Sequence, residues 1–311
     1  MLRVVFMGTP EFAVPSLESV HKRHTIVGVF TQSDKPVGRG LDVRFCPVKA
    51  KALQLGLNVF QPEKASAPAE FERLKELNPD IIVVVAYGQI LKKNVLELPR
   101  LGCVNVHSSL LPRWRGAAPI QWAILQGDSL SGVTTQRLVE KLDAGPILLQ
   151  ETTPLSADET ASSLHDRLAQ IGANLLARTL EGLASDTLKE VIQDESKVTY
   201  ASKLTKEMEW LNPAEAAATL ERRVRALNPW PGTSLKLGQR LKVKQARARD
   251  VRGVQGQVFH RAGMILLGTS EGSLDLQRVQ WDGKREIGPE EFMNGLKGKG
   301  QSLPLEVKSI R

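Results

Sequence analysis

The sequence has few cysteines and no long apolar run. Its two cysteines, Cys46 and Cys103, form no C-x-x-C pair in 311 residues, so neither a disulfide framework nor a thiolate zinc site is expected. The most apolar run, residues 81–86, falls far short of the roughly 18 residues that a membrane span needs. The first residues also lack the basic start and apolar block of a secretory signal. We therefore expect a cytoplasmic protein without a membrane partner.

The composition is that of an ordinary globular protein, but the charge is unevenly distributed. The chain is 41% hydrophobic and 24% charged, and its length suits roughly two domains. Residues 1–208 hold 24 Lys and Arg against 23 Asp and Glu, whereas residues 209–311 hold 18 against 11. Nearly all of the net charge of +8 is therefore C-terminal. Such a basic region fits either a polyanionic partner such as nucleic acid or a solvated basic surface.

The first part of the sequence alternates short apolar runs with amphipathic helical patterns. Residues 25–31 and 80–86 are strand-like runs, and the clearest helical pattern covers residues 160–184. Buried strands separated by amphipathic helices favour a mostly parallel, doubly wound sheet. We therefore expect an α/β domain over residues 1–188.

The remaining sequence has a different pattern. Residues 189–208 are polar and lack alternation, which predicts a linker between domains. Five short strand-like runs follow within residues 209–311, and glycine-containing turns separate most of them. This spacing predicts a small antiparallel barrel, compatible with an oligonucleotide-binding-type fold. The five runs are residues 233–237, 240–246, 256–260, 264–269 and 273–281.

The candidate chemistry lies at the end of one predicted strand. Asn105 and His107 alternate around Val106, so both side chains should project from the same face. Ligands of parallel sheets bind beyond the carboxyl ends of the strands. An amide can stabilise an oxyanion and an imidazole can carry a proton, and Asp143 in a later loop could orient that imidazole. The spacing alone leaves open a capped turn without catalytic function.

Short motifs occur in a fixed order along almost the whole chain. They are residues 8–12 (GTPEF), 34–40 (DKPVGRG), 84–88 (VVAYG), 105–107 (NVH), 109–121 (SLLPRWRGAAPIQ), 132–135 (GVTT), 142–145 (LDAG), 199–201 (TYA) and 228–231 (NPWP). Each is weak by itself, but their joint order resembles the family of formyltransferases that use 10-formyltetrahydrofolate, in particular members acting on methionyl-tRNA. The resemblance implies a Rossmann-like formyltransferase domain followed by an oligonucleotide-binding (OB)-like β-barrel.

The resemblance also implies roles for individual residues. Asn105, His107 and Asp143 match the family's catalytic residues. The segment that binds the tetrahydrofolate maps onto Ser109, Leu110, Leu111 and Pro112. The implied reaction moves a formyl group from 10-formyltetrahydrofolate, a co-substrate, to the α-amino group of initiator methionyl-tRNA for translation initiation. The implied protein is a monomer, and no pair among the five histidines forms a metal site.

Two basic regions are candidates for contact with the tRNA. The polar loop 32–49 carries four cations, and the resemblance implies that it enters the acceptor stem, with Arg39 important for recognition. The C-terminal string places cations at alternating strand positions, which would give one ribbon face positive charge. A mobile loop and a solvated strand face remain open as alternatives. The candidates are Lys35, Arg39, Arg44, Lys49, Lys242, Lys244 and Arg247.

Other functions remain open at this point. A UDP-amino-sugar formyltransferase would share the catalytic residues, a formyltetrahydrofolate hydrolase would use water in place of the amine, and a non-catalytic RNA-binding protein would need only the scaffold. The basic C-terminal half favours tRNA, and the intact Asn105, His107 and Asp143 favour an enzyme. The sequence after the first strand lacks G-x-G-x-x-G, so a dinucleotide is not expected.

Three departures from the family pattern bear on the fine geometry of the site. Ser108 stands where a glycine is often found, and Gln136 lies in a strand that is usually more apolar. Glu140-Lys141 replaces a commoner acidic-glycine pair.

Overall fold

The structure is a computed structural model that describes residues 1–37, 42–298 and 300–308. The chain forms two compact units. The first contains Met1–Pro119, Leu130–Pro154 and His165–Ala201, and the second contains Ile120–Ser129, Leu155–Leu164 and Ser202–Arg311. Within the described ranges, no helix is both long and apolar enough to cross a membrane.

The elements follow one another as alternating strands and helices in the first half and mostly as strands in the second. The helices are α1 Val14–His21, α2 Pro47–Gln54, α3 Pro68–Leu77, α4 Lys93–Leu96, α5 Pro119–Gln126, α6 Ala161–Ala184, α7 Ala217–Leu227 and α8 Pro289–Lys297. Strands up to α6 are β1 Arg3–Gly8, β2 Thr25–Phe30, β3 Lys35–Val37, β4 Asp42–Arg44, β5 Val59–Phe60, β6 Ile81–Val85, β7 Cys103–His107, β8 Arg115–Gly116, β9 Leu130–Arg137 and β10 Ile147–Pro154. Later strands are β11 Tyr200–Ala201, β12 Ser234–Leu237, β13 Gln239–Arg249, β14 Gln257–Arg261, β15 Met264–Gly268, β16 Ser273–Trp281, β17 Glu286–Ile287 and β18 Leu305–Glu306.

The main sheet of the first unit has the order β10-β9-β7-β6-β1-β2-β5. The strands from β7 to β5 pair in parallel, whereas β9 runs antiparallel to both β7 and β10. This confirms the mostly parallel α/β sheet. The strand order reverses between β1 and β6, the kind of position where open α/β sheets bind ligands.

Local sequence explains where several elements begin and end. Every side chain of β6 is buried, as expected for a central parallel strand with apolar residues at each position. Pro47 and Pro68 open α2 and α3, where the first-turn amides are unpaired in any case. α3 is followed by Asn78, whose φ of 44° is the left-handed conformation typical of the residue after a helix.

The second unit is built on an antiparallel sheet with the order β12-β13-β16-β15-β14-β18, and β17 pairs with β16. A hydrogen bond from the Lys308 backbone N–H to the Lys236 carbonyl (2.9 Å) joins the two edges. The interior is filled by apolar side chains, among them Leu220 of α7 and Phe292 of α8. The predicted OB-like β-domain is therefore confirmed, and all five predicted runs are strands. The short strands β17 and β18 and the helix α8 were not predicted; β17 pairs with β16 and β18 pairs with β14.

A bulge sets which cations of β13 share a face. Lys242 and Lys244 alternate with buried Leu241 and Val243, and the register shifts on either side of Gln245. A bulge of this kind reverses the alternation of inward-facing and outward-facing side chains, so the residues after Gln245 follow the opposite pattern to those before it.

Candidate active site

Asn105 and His107 project from the same face of β7. In the antiparallel pairing with β9, Asn105 lies opposite Gln136 and His107 lies opposite Thr134. Asn105 is 9% exposed and His107 is 6% exposed. Across residues 1–37, 42–298 and 300–308, no protein group is hydrogen-bonded to the Asn105 side chain. Its carboxamide can therefore bind a ligand without first breaking a protein contact.

Both ring nitrogens of His107 face oxygen acceptors. Nε2 lies 2.9 Å from the backbone carbonyl of Trp114, and Nδ1 lies 3.7 Å from Oδ1 of Asp143. A carbonyl oxygen only accepts hydrogen bonds, so Nε2 carries a proton in this arrangement. The second nitrogen, Nδ1, faces the Asp143 carboxylate from just beyond hydrogen-bond distance. The structure thus places His107 and Asp143 together, as the sequence predicted.

Asp143 is a buried carboxylate held mainly by neutral donors. It is 8% exposed, and its φ of 48° lies in the left-handed region. The backbone N–H of Gly116 donates to Oδ2 (2.9 Å), and Nε2 of Gln136 donates to Oδ1 (3.1 Å). A buried charge is costly unless hydrogen-bonded, and these donors supply that compensation. Gln136, noted as a departure from the family pattern, therefore directly contacts a candidate catalytic residue.

The loop that carries Asp143 is tightly folded. A Cβ atom on Gly145 would lie only 1.8 Å from the carbonyl oxygen of Arg137. Only glycine permits this approach of two backbone segments. The close contact fixes the path of the loop just after Asp143.

The segment Ser109–Pro112 is anchored to β9, and Nε2 of Gln150 in β10 donates to the Leu111 carbonyl (2.9 Å). The Thr134 hydroxyl donates to the Ser109 carbonyl (2.7 Å) and accepts from the Leu111 backbone N–H (3.1 Å). The Ser109 hydroxyl donates to the carbonyl of Arg113 (2.6 Å). Ser109 and Leu111 are buried, whereas Leu110 and Pro112 are partly exposed. This pattern leaves Leu110 and Pro112 as the side chains of the segment that are available to a ligand.

The basic loop contains a short hairpin, because β3 and β4 pair antiparallel. The backbone of Lys35 lies in β3, and Arg39 lies outside the described residues. Arg44 is exposed, and no ion pair of its side chain is found in the described part of the chain. The predicted loop is therefore partly ordered as strands, which its short polar runs did not indicate.

Lys49 has a different environment from Arg44. Its ammonium group is largely buried and pairs with Asp34, and it also donates to Oε1 of Gln61 (2.6 Å). Partial burial raises the pKa of Asp34, but hydrogen bonds from Lys49 and Gln61 outweigh this effect and hold the pKa below its ordinary value. The charge of Lys49 is thus balanced within the protein.

The basic candidates on β13 also differ in how far they are neutralised. Lys242 pairs with Asp282 (3.1 Å) and Arg247 pairs with Glu221 (3.2 Å). Lys244 has no ion pair among the residues that the structure describes. In the same described ranges, no group of three His, Cys, Asp or Glu side chains is placed to hold a metal ion.

Two features of the site were missed in the sequence. Trp114 supplies its backbone carbonyl to His107, and Gln193 contacts the loop of Asp143 although it lies in the predicted linker. The role of the Trp114 carbonyl could not be predicted, because every residue has a backbone carbonyl whatever its side chain. Gln193 could have been suspected only from the nearby motif at residues 199–201.

Comparison with known proteins gives the family. Residues 2–180 match the model of the formyl transferase family, and residues 203–297 match the model of the formyl transferase C-terminal domain. The methionyl-tRNA formyltransferase of Halorhodospira halophila is 50% identical over 302 residues, which are 94% of this chain and 96% of the relative. That of Methylococcus capsulatus is 47% identical over 306 residues, covering 97% and 99%.

Solved structures share the fold at much lower identity. WlaRD, a sugar 3N-formyl transferase whose crystal structure was obtained in the presence of dTDP and 5-N-formyl-THF, has a TM-score of 0.68 at 17% identity and covers 92% of this chain and 99% of its own. HypX from Aquifex aeolicus, solved in complex with tetrahydrofolic acid, has a TM-score of 0.63 at 17% identity. The match covers 99% of this chain but only 51% of HypX. By its sequence and by both of its domains, the chain belongs to the methionyl-tRNA formyltransferase family.

Proposed function

We propose that the cluster around Asn105 and His107 transfers a formyl group from 10-formyltetrahydrofolate to the α-amino group of initiator methionyl-tRNA, for use in translation initiation. The full-length similarity to methionyl-tRNA formyltransferases supports this acceptor and this donor. The observation that carries the chemistry is the Asn105 carboxamide, which is buried on the site face and has no hydrogen-bond partner in the described ranges.

Asn105 is the donor to the oxyanion. When the neutral amine attacks the formyl carbon, a C–N bond forms and the carbonyl electrons move onto the oxygen. An amide N–H that is already in place and shielded from water stabilises that charge strongly. Asn105 meets this requirement because it is buried and its rigid strand pairs on both sides, with β6 and with β9.

His107 and Asp143 supply and hold positive charge beside the oxyanion. With protons on both nitrogens, the imidazolium donates to the Trp114 carbonyl and faces the Asp143 carboxylate. The tetrahedral intermediate then collapses by breaking the bond between the formyl carbon and N10. The amine loses one proton and N10 gains one. A water molecule can carry that proton across, or His107 can donate a proton to N10 and then take one from the amine.

The formyl donor, 10-formyltetrahydrofolate, contacts the segment Ser109–Pro112. The contact is chiefly with Leu110 and Pro112, because these two side chains are partly exposed. The tRNA contacts the basic loop and the outer face of β13. Arg44 and Lys244 are the strongest candidates for phosphate contacts among the described residues, since neither is neutralised by an ion pair. Lys35 and Arg39 are further candidates in the loop, whereas Lys49, Lys242 and Arg247 already have acidic partners.

The proposed division of labour follows the predicted domains. Residues 1–188 carry out formyl transfer and residues 209–311 contribute tRNA binding, with residues 189–208 between them. We expect a monomeric, cytoplasmic enzyme.

The test is transfer of radiolabelled formyl from 10-formyltetrahydrofolate to methionyl-tRNA, with uncharged tRNA and a UDP-amino sugar as competing acceptors. Label should appear only in acid-precipitable methionyl-tRNA. Asn105→Ala and His107→Ala should each lower turnover by about 100- to 1000-fold, the usual loss when an oxyanion donor is removed. Neither variant should lose its cooperative unfolding transition.

Two exposed residues provide matched controls. Asn94→Ala and His21→Ala change the same residue types at the surface, and both should keep wild-type turnover. Label in the sugar or in free formate alone would refute the proposed acceptor. Wild-type turnover in Asn105→Ala or His107→Ala would refute the assignment of that residue.

A further inference from the structure

Residues 191–201 form a strap that is attached to the first unit at both ends. At one end, Val191 and Ile147 exchange two backbone hydrogen bonds of 2.8 and 2.9 Å. At the other end, β11 pairs in parallel with β8. Since β8 follows Trp114 directly and Ile147 follows the Asp143 loop, the strap reaches both sides of His107's surroundings.

Near the first end, the amide of Gln193 is fully hydrogen-bonded. Its Nε2 donates to the carbonyls of Gly145 (2.7 Å) and Asp143 (2.8 Å). Its Oε1 accepts from Nε (3.0 Å) and Nη2 (2.9 Å) of Arg115, whose side chain is completely buried. The donors of Arg115 fix which end of the amide faces the Asp143 loop, because a guanidinium has no acceptor.

The same amide reaches the Asp143 carboxylate through one more residue. Nε2 of Gln193 lies 3.2 Å from Oε1 of Gln136, and Nε2 of Gln136 donates to Oδ1 of Asp143. Gln193 therefore holds the backbone of Asp143 directly and orients the donor to its carboxylate. A left-handed residue such as Asp143 needs this kind of external restraint to keep its conformation.

Near the second end, Thr199 holds Trp114. The Trp114 backbone N–H donates to Oγ1 of Thr199 (2.9 Å), and the Arg115 backbone N–H donates to its carbonyl (2.9 Å). Trp114 has a φ of 63°, which is unfavourable for a bulky side chain. Thr199 thus fixes the strained residue whose carbonyl accepts from Nε2 of His107.

We propose that Gln193 and Thr199 are positioning residues for formyl transfer, each fixing the acceptor that faces one nitrogen of His107. Gln193 acts on the Nδ1 side through Asp143, and Thr199 acts on the Nε2 side through the Trp114 carbonyl. This inference rests on the proposed catalytic role of His107. It assigns a positioning function to a segment that the sequence predicted as part of a linker.

The first test is Gln193→Glu. The carboxylate keeps the contact with Arg115 but places an oxygen against the carbonyls of Asp143 and Gly145, which repel it. We expect kcat to fall roughly 10- to 100-fold, as for displacements of about 1 Å in a catalytic group, while KM for both substrates stays within about twofold. Glu195→Gln is the control, because Glu195 also pairs with Arg115 but is 59% exposed. It should keep wild-type kcat.

The second test is Thr199→Val, which removes the hydroxyl acceptor and nearly preserves volume. The ring nitrogens of His107, observed by NMR in protein labelled with ¹⁵N-histidine, separate the two effects. Gln193→Glu should shift mainly the Nδ1 resonance, and Thr199→Val mainly the Nε2 resonance. If the two residues had only a structural role, the variants would lower the stability of the protein without shifting the Nδ1 and Nε2 resonances separately.

The outcomes distinguish failure of the positioning role of the strap from failure of the proposed catalytic role of His107. If His107→Ala loses turnover but Gln193→Glu and Thr199→Val keep wild-type kcat and resonances, the strap has no positioning role and the proposed function stands. If His107→Ala keeps turnover, the proposed function itself is wrong. Should Gln193→Glu fail to fold, Thr199→Val decides the Nε2 side, and the kcat and Nδ1 resonance of Gln193→Met, which lacks the amide donors, decide the Nδ1 side.

Discussion

Two aspartates of the first unit have very different surroundings. Asp80 precedes β6 near the sheet surface, with a side chain that is 23% exposed and a partner, Arg100, that is 64% exposed. Its carboxylate accepts from the Arg3 backbone N–H and from Nε of Arg100, both at 2.8 Å. Asp143 is buried, has left-handed backbone, and faces an imidazole instead of a permanent cation.

The comparison of Asp80 with Asp143 shows that unfavourable local structure is concentrated around Asp143. The hydrogen bond from the Arg3 backbone, followed by that from Arg100, holds the pKa of Asp80 below its ordinary value, as expected for a structural carboxylate. Around Asp143, positive φ values, a buried charge and backbone contacts that only glycine allows occur together. Strain that neighbouring groups must hold in place is typical of functional sites.

The largest expected effect is that of Asp143→Asn on turnover. In the wild type, Gln136 donates to Oδ1 of Asp143 and the Gly116 backbone N–H donates to Oδ2. The asparagine side chain has only one oxygen acceptor, so one of these two buried donors loses its partner. The charge that faces His107 is lost as well. We expect kcat to fall about 100-fold or more, and the free energy of unfolding to fall by about 1–3 kcal/mol. Steady-state kinetics and urea unfolding measure the two effects, and equal turnover in Asp143→Asn and Asp80→Asn would abolish the contrast between the two aspartates.

A smaller effect is expected for Gly145→Ala. Because the new Cβ would clash with the backbone of Arg137, the loop must move and carry Asp143 with it. We expect a loss of about 1–3 kcal/mol in unfolding free energy together with a clear drop in kcat. Gly56→Ala is the control: apart from its chain neighbours, no heavy atom of the described residues lies within 4 Å of the position of the new Cβ, although φ is +69°. It should cost about 1–2 kcal/mol and leave kcat unchanged, and an unchanged kcat in Gly145→Ala would show that the loop tolerates displacement.

The smallest effect is that of Asp80→Asn, which should change stability alone. The ion pair is partly exposed, so its loss should cost about 0.2–1 kcal/mol at pH 7. Since the folded pKa of Asp80 is lowered, its contribution is present above the unfolded pKa of about 3.9 and is lost as the pH falls through the folded pKa. Urea unfolding at pH 7 and pH 3 should show a deficit that shrinks at the lower pH. A deficit that grew on acidification would contradict the assigned pKa direction.

The sequence predicted those parts of the fold that have a local pattern. The helix expected over residues 160–184 is α6, and the strand expected to carry Asn105 and His107 is β7. Burial imposes a period on such elements, and the period is visible in residue types. The three candidate catalytic residues were found because polar side chains at a strand end, together with a known motif, are also local features.

The remaining structure depends on long-range pairing without any period. β8 and β11 have two residues each, and their pairing joins positions 115–116 to positions 200–201. The hydrogen bonds of Gln193 likewise reach loops far away in sequence. A polar stretch with one buried amide cannot be told from a linker by composition, because its role depends on what the fold brings next to it.

The strap also fixes when the site can be completed during synthesis. Proteins emerge from the ribosome from the N-terminus, at about 5–20 residues per second. The strands β1 to β10 and all of α6 precede residue 191, so the sheet that carries Asn105 and His107 can form before the strap is made. Asp143 and Trp114 are secured only after Gln193 and Thr199 have emerged, so a nascent chain can hold a folded sheet while its catalytic centre is still unfinished.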